Sequence, residues 1–250
     1  MLKQWIKAWL LRHDIILSRP PGQFVALQQR LESLRKRGLR IKCAVDGGAA
    51  CGGWLEQFKL IYPESTVLCI EPRDDASQIL QNVAKRWPDV VLAKTLIGPR
   101  NGQVSFHVYG DQSSVIADAR GADFGVTTTA PMTTLDDLIV RTKVPQPDLI
   151  KLDLQGYELD ALRGATRCLA LAQILLLELS FFRFQQGQPL AEEVIDFVHK
   201  HGFRLHDIAG LWQRPLDGAT SQGDFIFVRE NHPLLQDDRW DAQQTFQATP

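Results

Sequence analysis

The chain has 250 residues, of which 44% are hydrophobic and 23% charged, a balance typical of a globular domain with a substantial core. Its 28 basic and 29 acidic residues give a formal net charge of −1, which argues against nucleic acid as a partner, because phosphate-binding domains usually carry a basic excess. No apolar run approaches the roughly 20 residues that a membrane-spanning helix needs.

The four cysteines give no sign of a disulfide framework. They form no C-x-x-C pair, and none has zinc-site spacing with a histidine. Cys43 and Cys69 lie within apolar runs, which predicts buried free thiols. This usage favours a reducing compartment, so we expect a cytoplasmic protein.

Residues 1–38 have helical patterns and are expected to form an N-terminal helical segment packed on the core. Apolar residues recur at helical spacing at the start of the chain: Leu2, Trp5, Ile6, Trp9 and Leu10. Such a helix is typical either of a segment lying across the domain, which we favour, or of weak contact with a membrane surface. A second helix is predicted over residues 24–37, and Gly38 ends it.

From residue 39 onwards, short apolar runs alternate with helical patterns. The predicted strands are residues 41–45, 66–70, 90–97, 104–109, 149–152, 174–177, 203–205 and 225–228. The predicted helices are residues 54–60, 76–86, 135–141, 157–162 and 190–201. Residues 111–129 are rich in Gly, Ser, Thr and Asp and are expected to form an irregular surface loop.

This alternation indicates an α/β domain with a mostly parallel sheet covered by helices on both faces. The last two strands are joined through Gly210, Pro215 and Gly218 without a helical pattern, which predicts that they are antiparallel. We therefore expect a doubly wound, seven-stranded Rossmann-like sheet with one antiparallel strand near its edge. Residues 39–230 would form this domain, and residues 231–250 a C-terminal tail.

The first predicted strand ends in an acid and a glycine-rich turn with the pattern D-x-G-x-x-x-G. A dinucleotide pyrophosphate loop has the pattern G-x-G-x-x-G instead. S-adenosylmethionine has no phosphate and carries an amino acid, so the loop suits it better than NAD, with Asp46 near its ammonium group. The predicted cofactor contacts in this loop are Asp46, Gly47, Gly48, Ala49 and Gly52.

Glu71 and Pro72 follow the second strand and are also predicted cofactor contacts. A carboxylate at this position can accept both hydroxyls of a ribose. NAD enzymes share this acid, so an NAD-dependent oxidoreductase is one alternative, disfavoured by the loop pattern and by the lack of a Tyr/Lys or His catalytic pair. A non-catalytic cofactor-binding scaffold is the other, disfavoured because it would not need these acids and glycines.

The segments VDGGAACGGW, CIEP, TTLDDL, IKLDLQGYELDALRGA and ILLLELS, in this order, resemble the FkbM-type methyltransferases over about residues 12–229. The resemblance implies the methyltransferase variant of the sheet, S-adenosylmethionine as cofactor, and a hydroxyl on a small-molecule, sugar or glycoside acceptor. It also implies that Ser113 and Ser114 lie near the cofactor. The family commonly has Glu where this chain has Gln155, which argues against a general base there, and usually Asn where it has Ala50.

Four acids are expected to converge at the carboxyl ends of the strands: Asp153, Glu158, Glu178 and Asp224. A hydroxyl acceptor must lose its proton, and Asp153 is the first candidate base, because its strand ends beside the cofactor's sulfonium in this architecture. Glu158 could instead complement a helix dipole. Two hypotheses follow: the acids hold acceptor hydroxyls, or two or three of them hold a divalent cation such as Mg²⁺. We prefer the first, because no metal-loop spacing is present.

Overall fold

Two sheets organise the computed structural model, which describes residues 23–110, 112–117, 125–237 and 239. The strands are β1 (Cys43–Gly47), β2 (Thr66–Ile70), β3 (Val90–Ala93), β4 (Leu96–Ile97), β5 (Gly102–Val108), β6 (Val126–Thr133), β7 (Leu149–Leu152), β8 (Ile174–Ser180), β9 (Phe203–Gln213) and β10 (Thr220–Arg229). The helices are α1 (Gln23–Lys36), α2 (Gly53–Ile61), α3 (Asp74–Ala84), α4 (Leu135–Thr142), α5 (Glu158–Arg163), α6 (Thr166–Leu171) and α7 (Ala191–Lys200), and a 3₁₀ turn follows at Pro233–Leu235.

The central sheet has seven strands in the order β3-β2-β1-β7-β8-β10-β9. Neighbouring strands from β3 to β8 are parallel, whereas β10 runs antiparallel to both β8 and β9. The predicted doubly wound sheet with one antiparallel strand near its edge is confirmed. The order of the strands reverses between β1 and β7, and open α/β sheets bind ligands beside the carboxyl ends of the strands at such a point.

Helices cover both faces of the central sheet, because its central strands are apolar on both sides. Every residue of β1 and β7 is buried. Helices α1, α2 and α3 pack on one face through side chains such as Leu31, Phe58 and Leu80. Helices α4 to α7 pack on the other through side chains such as Leu138 and Leu162. Two apolar layers therefore hold the strand ends in fixed positions.

A second sheet contains three strands in the order β4-β6-β5. The prediction of one strand over residues 90–97 was wrong, because the chain leaves the strand conformation at Lys94 and Thr95 and places β3 and β4 in different sheets. Strand β6 begins inside residues 111–129, which we expected to be an irregular loop. Its sequence, VTTTAPMT, is rich in β-branched residues that favour extended backbone.

The remaining elements follow the predictions with changed boundaries. The predicted helix over residues 24–37 is α1, which packs against α2 and β9. Helix α6 was not predicted, and β9 and β10 are longer than expected. The predicted first helix, with its alternative contact to a membrane surface, lies outside the described residues. Within the described part of the chain, no helix has both the length and the apolar character to cross a bilayer.

Candidate active site

A cavity of about 410 Å³ opens at the carboxyl ends of β1, β2 and β7. Gly48, Glu71 and Asp153, which follow these three strands, line it. The small sheet and the loop after β5 contribute further lining through residues such as Phe106 and Ser114. This position, and a volume within the range of about 300–1,000 Å³ for ligand pockets, identify the cavity as the candidate active site.

Gly48 allows the loops after β1 and β7 to touch. Its φ is +73°, and a Cβ atom there would lie only 1.9 Å from the carbonyl oxygen of Asp153. The N–H groups of Gly48 and Ala49 both donate to the carbonyl oxygen of Ile70 at 3.0 Å, which fixes the loop against the end of β2. A larger residue at position 48 would therefore separate two walls of the cavity.

The other predicted loop residues surround this contact. Gly47 and Ala49 are buried, and Gly52 precedes α2 with a φ of +89°. Ala50 lines the cavity with a φ of +45°, a conformation that Asn tolerates better than Ala. Of the residues in this loop, Gly48 and Ala50 line the cavity.

Glu71 is a buried carboxylate with a fixed orientation at the cavity. Its Oε2 accepts a hydrogen bond from the N–H of Ala50 at 2.9 Å. Its Oε1 accepts from the N–H of Arg73 at 2.9 Å and from the Nε of the same residue at 3.1 Å. Pro72 lines the same wall. A carboxylate offers about four lone-pair positions, so a ribose hydroxyl can also donate to Glu71.

Asp46 lies beneath the loop rather than in the cavity wall. Its side chain has no solvent exposure, and its Oδ1 is 3.0 Å from the Nζ of Lys151. The same Nζ donates to the carbonyl oxygen of Gly48 at 3.1 Å. Burial acts to lower the pKa of Lys151, but the carboxylates of Asp46 and Asp153 outweigh it and raise that pKa above its ordinary value. The structure thus places a buried cation between Asp46 and the cavity, where we expected Asp46 to face an ammonium group.

The amide of Gln155 joins two of the four predicted acids. Its Nε2 donates to Oδ1 of Asp153 at 2.8 Å and to Oε2 of Glu178 at 3.1 Å. The Nε2 of Gln222 donates to Oε1 of Glu178 at 2.8 Å. Burial, and then the negative charge of Asp153, raise the pKa of Glu178 to about 10. Burial and the neighbouring charge thus favour the protonated form of Glu178, whereas the side chain of Asp153 is 30% exposed and faces the cavity.

The other two predicted acids border this cluster from different sides. Oε1 of Glu158 accepts hydrogen bonds from the N–H groups of Leu154, at 2.7 Å, and Gly156, at 3.2 Å, and burial raises the pKa of Glu158 to about 7. These bonds hold the loop after β7. Asp224 is the register partner of Glu178 across β10 and β8, and burial followed by the charge of Asp153 raises its pKa to about 7.

The two predicted serines line the cavity, and the hydroxyl of each is hydrogen-bonded within the protein. Oγ of Ser113 accepts from the N–H of Tyr109 at 2.8 Å and donates to the carbonyl oxygen of Gly110 at 2.6 Å. Oγ of Ser114 donates to the carbonyl oxygen of Gln155 at 3.0 Å. This last bond attaches the loop after β5 to the acid cluster.

The described residues contain no group of three His, Cys, Asp or Glu side chains arranged to hold a metal ion, so they give no support to the divalent-cation hypothesis. Lys151, Gln155 and Gln222 are among the residues of the site that were not predicted as such. The sequence signal for Lys151 is a lysine inside the apolar run of β7, since a buried lysine requires an acidic partner.

The family model "Methyltransferase FkbM domain" matches residues 48–205 of the chain. Among solved structures, the methyltransferase FkbM from Methylobacillus flagellatus KT superimposes with a TM-score of 0.52 and 20% identity, covering 78% of this chain and 47% of that one. This similarity shows a shared fold.

Two curated proteins are similar in sequence. Hexuronic acid methyltransferase AglP of Haloferax volcanii is 26% identical over 121 residues, which are 46% of this chain and 48% of AglP. The 2-O-methyltransferase NoeI of Sinorhizobium fredii is 23% identical over 210 residues, which are 71% of this chain and 86% of NoeI. The aligned part of the chain thus spans about half of AglP and most of NoeI.

Proposed function

The chain belongs to the FkbM methyltransferase family, and from this premise we propose that it transfers a methyl group from S-adenosylmethionine to a hydroxyl of a small-molecule, sugar or glycoside acceptor. The names of AglP and NoeI, one for a hexuronic acid and one for 2-O-methylation, support a carbohydrate hydroxyl as the acceptor group. Because AglP and NoeI are only 26% and 23% identical to this chain, its acceptor depends on the residues that line its own cavities.

The residues around the cavity fit the proposed cofactor. The loop at Gly48 brings its backbone close to the cavity, and the buried carboxylate of Glu71 is oriented to accept from a ribose hydroxyl. An apolar wall for the adenine ring of the cofactor is supplied by Leu96, Ile97 and Phe106. When bound, S-adenosylmethionine supplies an electrophilic methyl group on a sulfonium.

The two acids Asp153 and Glu178 have different roles when the acceptor hydroxyl is deprotonated. Methyl transfer is an in-line displacement, so much of the rate comes from holding the acceptor oxygen in position. As the new O–C bond forms, the hydroxyl proton moves to the carboxylate of Asp153. Protonated Glu178 cannot take that proton, and it acts instead as a neutral hydrogen-bonding group beside Asp153. The observation that carries the proposal is this pair of acids, one exposed to the cavity and one buried, joined by the amide of Gln155.

Titration calorimetry with S-adenosylmethionine and with NAD tests the cofactor. We expect S-adenosylmethionine and S-adenosylhomocysteine to bind and NAD not to bind; tight NAD binding without S-adenosylmethionine binding would make the chain an oxidoreductase candidate. Glu71→Ala should weaken S-adenosylmethionine binding at least tenfold, whereas Glu64→Ala, which changes an exposed acid just before β2, should not.

Methyl transfer to a panel of methyl glycosides tests the reaction. Label from the S-methyl group of S-adenosylmethionine should appear in a product that gains one methyl group on oxygen. Cofactor binding without transfer to any acceptor in the panel or in a cell extract would favour the scaffold alternative.

A further inference from the structure

A second cavity, of about 370 Å³, opens beside the first. The two cavities share four lining residues: Gln112, Gln155, Glu178 and Gln222. Glu178 and Gln155 belong to the acid cluster proposed to receive the acceptor hydroxyl. A molecule in the second cavity would therefore reach the proposed base across a wall common to both spaces.

Glutamine side chains dominate the lining of this second cavity. In addition to the shared residues, Gln185, Gln188 and Gln213 line it, together with Ser180 and Ser221. A primary amide offers two donors and an acceptor with two lone pairs, so it can bind a hydroxyl in either role. A set of amides around one space matches a ligand that carries several hydroxyl groups.

Gln185 supplies an acceptor that no described group uses. The residue is 9% exposed, and its Oε1 has no hydrogen-bond partner in the described part of the chain. A buried acceptor without a donor is unfavourable, and rotation of the Gln185 side chain toward the second cavity would let a ligand hydroxyl pair with this oxygen. Gln188, in contrast, is fully engaged: its Oε1 accepts from the N–H groups of Phe184 and Gln185, and its Nε2 donates to Oγ of Ser180 at 2.9 Å.

The positive charge that lines the second cavity is already paired with a carboxylate of the protein. Arg214 is the one cation among the described lining residues, and its Nε and Nη2 donate to the carboxylate of Asp217 at 2.8 and 2.5 Å. Its guanidinium also lies 4.0 Å from the ring centroid of Phe182. Glu178 lies in the shared wall, and a ligand carboxylate would come to lie near the acid cluster around it.

An aromatic ring provides the apolar part of the lining. Phe184 is 39% exposed, and its ring is tilted against that of Phe182 with centroids 6.0 Å apart. The C–H face of a pyranose ring is apolar and can pack on such a ring, whereas the hydroxyls at the ring edge require polar partners. The phenyl ring and the amides thus match the two kinds of surface that a sugar presents.

We propose that this second cavity is the acceptor subsite and that it selects an uncharged pyranose sugar over a hexuronic acid. The inference rests on the proposed function, since it places the acceptor of that reaction. Sugar hydroxyl groups would meet amides and an aromatic ring there, and the one cation among the described lining residues, Arg214, is already paired with Asp217.

Matched pairs of methyl glycosides test the selection. The full chain is given S-adenosylmethionine and either a methyl hexoside or the corresponding methyl hexuronide, in the gluco, galacto and manno series. We expect kcat/KM for the best neutral sugar to exceed that of its hexuronide at least tenfold. Equal use of the pair, or preference for the hexuronide, overturns the inference and leaves the proposed function standing.

Binding in the absence of turnover separates the two proposals further. Saturation-transfer NMR on protein saturated with S-adenosylhomocysteine should detect the neutral glycosides. If S-adenosylhomocysteine does not bind, the proposed function fails; if it binds and no neutral glycoside in the panel binds with it, the acceptor inference is overturned alone.

Two variants at neighbouring positions test whether the acceptor binds in the second cavity. Gln185→Leu removes the buried unpartnered acceptor and should raise KM for the neutral sugar at least tenfold while the affinity for S-adenosylhomocysteine stays within threefold. Gln186→Leu changes the adjacent exposed glutamine, which does not line the second cavity, and should leave both values unchanged. An unchanged KM in the Gln185 variant overturns the placement, and if that variant does not fold, the matched glycoside pairs decide.

Discussion

The ammonium of Lys151 lies 3.0 Å from the carboxylate of Asp46, a side chain with no solvent exposure. The two residues are register partners on β7 and β1, the strands between which the sheet order reverses. Because the same ammonium also donates to the carbonyl oxygen of Gly48, the ion pair fixes the cavity floor from below. We therefore expect the Asp46–Lys151 ion pair to contribute to the free energy of unfolding as well as to the geometry of the site.

Lys151→Met should lower the free energy of unfolding by about 3–5 kcal/mol, because it leaves the carboxylate of Asp46 buried without a counter-charge. The double variant Asp46→Asn with Lys151→Met should recover much of that loss, since uncharged side chains then replace both members of the buried ion pair. Urea unfolding of the two single variants and the double variant measures the coupling. Lys200→Met, which breaks an exposed pair with Asp196, should cost no more than about 1 kcal/mol. Equal losses in the two lysine variants would contradict the role given to Lys151.

Gly48→Ala should reduce affinity for S-adenosylmethionine at least tenfold, because the added Cβ would overlap the carbonyl oxygen of Asp153 and push the two loops apart. Gly218 has the same φ of +73°, but a Cβ atom there meets nothing within 4 Å. Gly218→Ala thus introduces the same backbone strain without a steric overlap of the new Cβ atom. It should leave the affinity for S-adenosylmethionine unchanged. Calorimetric titration of both variants separates steric overlap from strain; equal affinities would show that position 48 tolerates a side chain.

Asp153→Asn should lower kcat about 100-fold or more, because an amide cannot accept the hydroxyl proton. The substitution retains an oxygen that can accept from the Nε2 of Gln155, so the affinity for S-adenosylmethionine should stay within threefold. Steady-state rates and calorimetry on the same preparation give both values. Asp160→Asn, on the outer part of α5, is the matched control and should keep full activity. Full activity in the Asp153 variant would remove this carboxylate from the mechanism.

Glu178 should make the stability of the protein depend on pH. Its pKa of about 10 in the folded protein lies far above the value of about 4.3 for an exposed glutamate, so between these values the folded state holds one more proton than the unfolded state. The stability that Glu178 contributes is complete below about pH 4 and declines as pH rises toward 10. Glu178→Gln lacks this titration.

Urea unfolding at several pH values between about 6 and 9 should therefore show a shallower decline for Glu178→Gln than for the natural chain. Glu56→Gln, which changes an exposed acid on α2, should follow the natural chain. Parallel curves for all three proteins would mean that Glu178 is already ionised at neutral pH.

Much of the fold could be predicted because strand burial leaves a direct signal. The buried strands β1, β7 and β8 are largely apolar runs, and the turn-rich connection before β10 predicted its reversed direction, which is confirmed. The family resemblance drawn from the motifs is also confirmed. The division of residues 90–97 between two sheets could not be predicted, since only Lys94 and Thr95 interrupt the apolar pattern.

The site was predicted at the level of the strand ends but not of the side-chain directions. Glu71 and Asp153 line the cavity as expected, because both follow the last residues of their strands. Asp46 lies within β1, where the pleat and the register with Lys151 decide which way a side chain points. The bridging role of Gln155 depends on a φ of +53° and on contacts between distant elements, which no local pattern encodes.

The walls of the candidate active site come from two separate sheets, each with its own set of hydrogen bonds between strands. Strands β5 and β6 pair within the small sheet, while Glu71 and Asp153 follow strands of the central one. The small sheet can therefore open locally without breaking hydrogen bonds between the strands of the central sheet, which position Glu71 and Asp153. Amide hydrogens of β5 and β6 should exchange with solvent sooner than those of β1 and β7, so that molecules could enter and leave while the chemical groups keep their places.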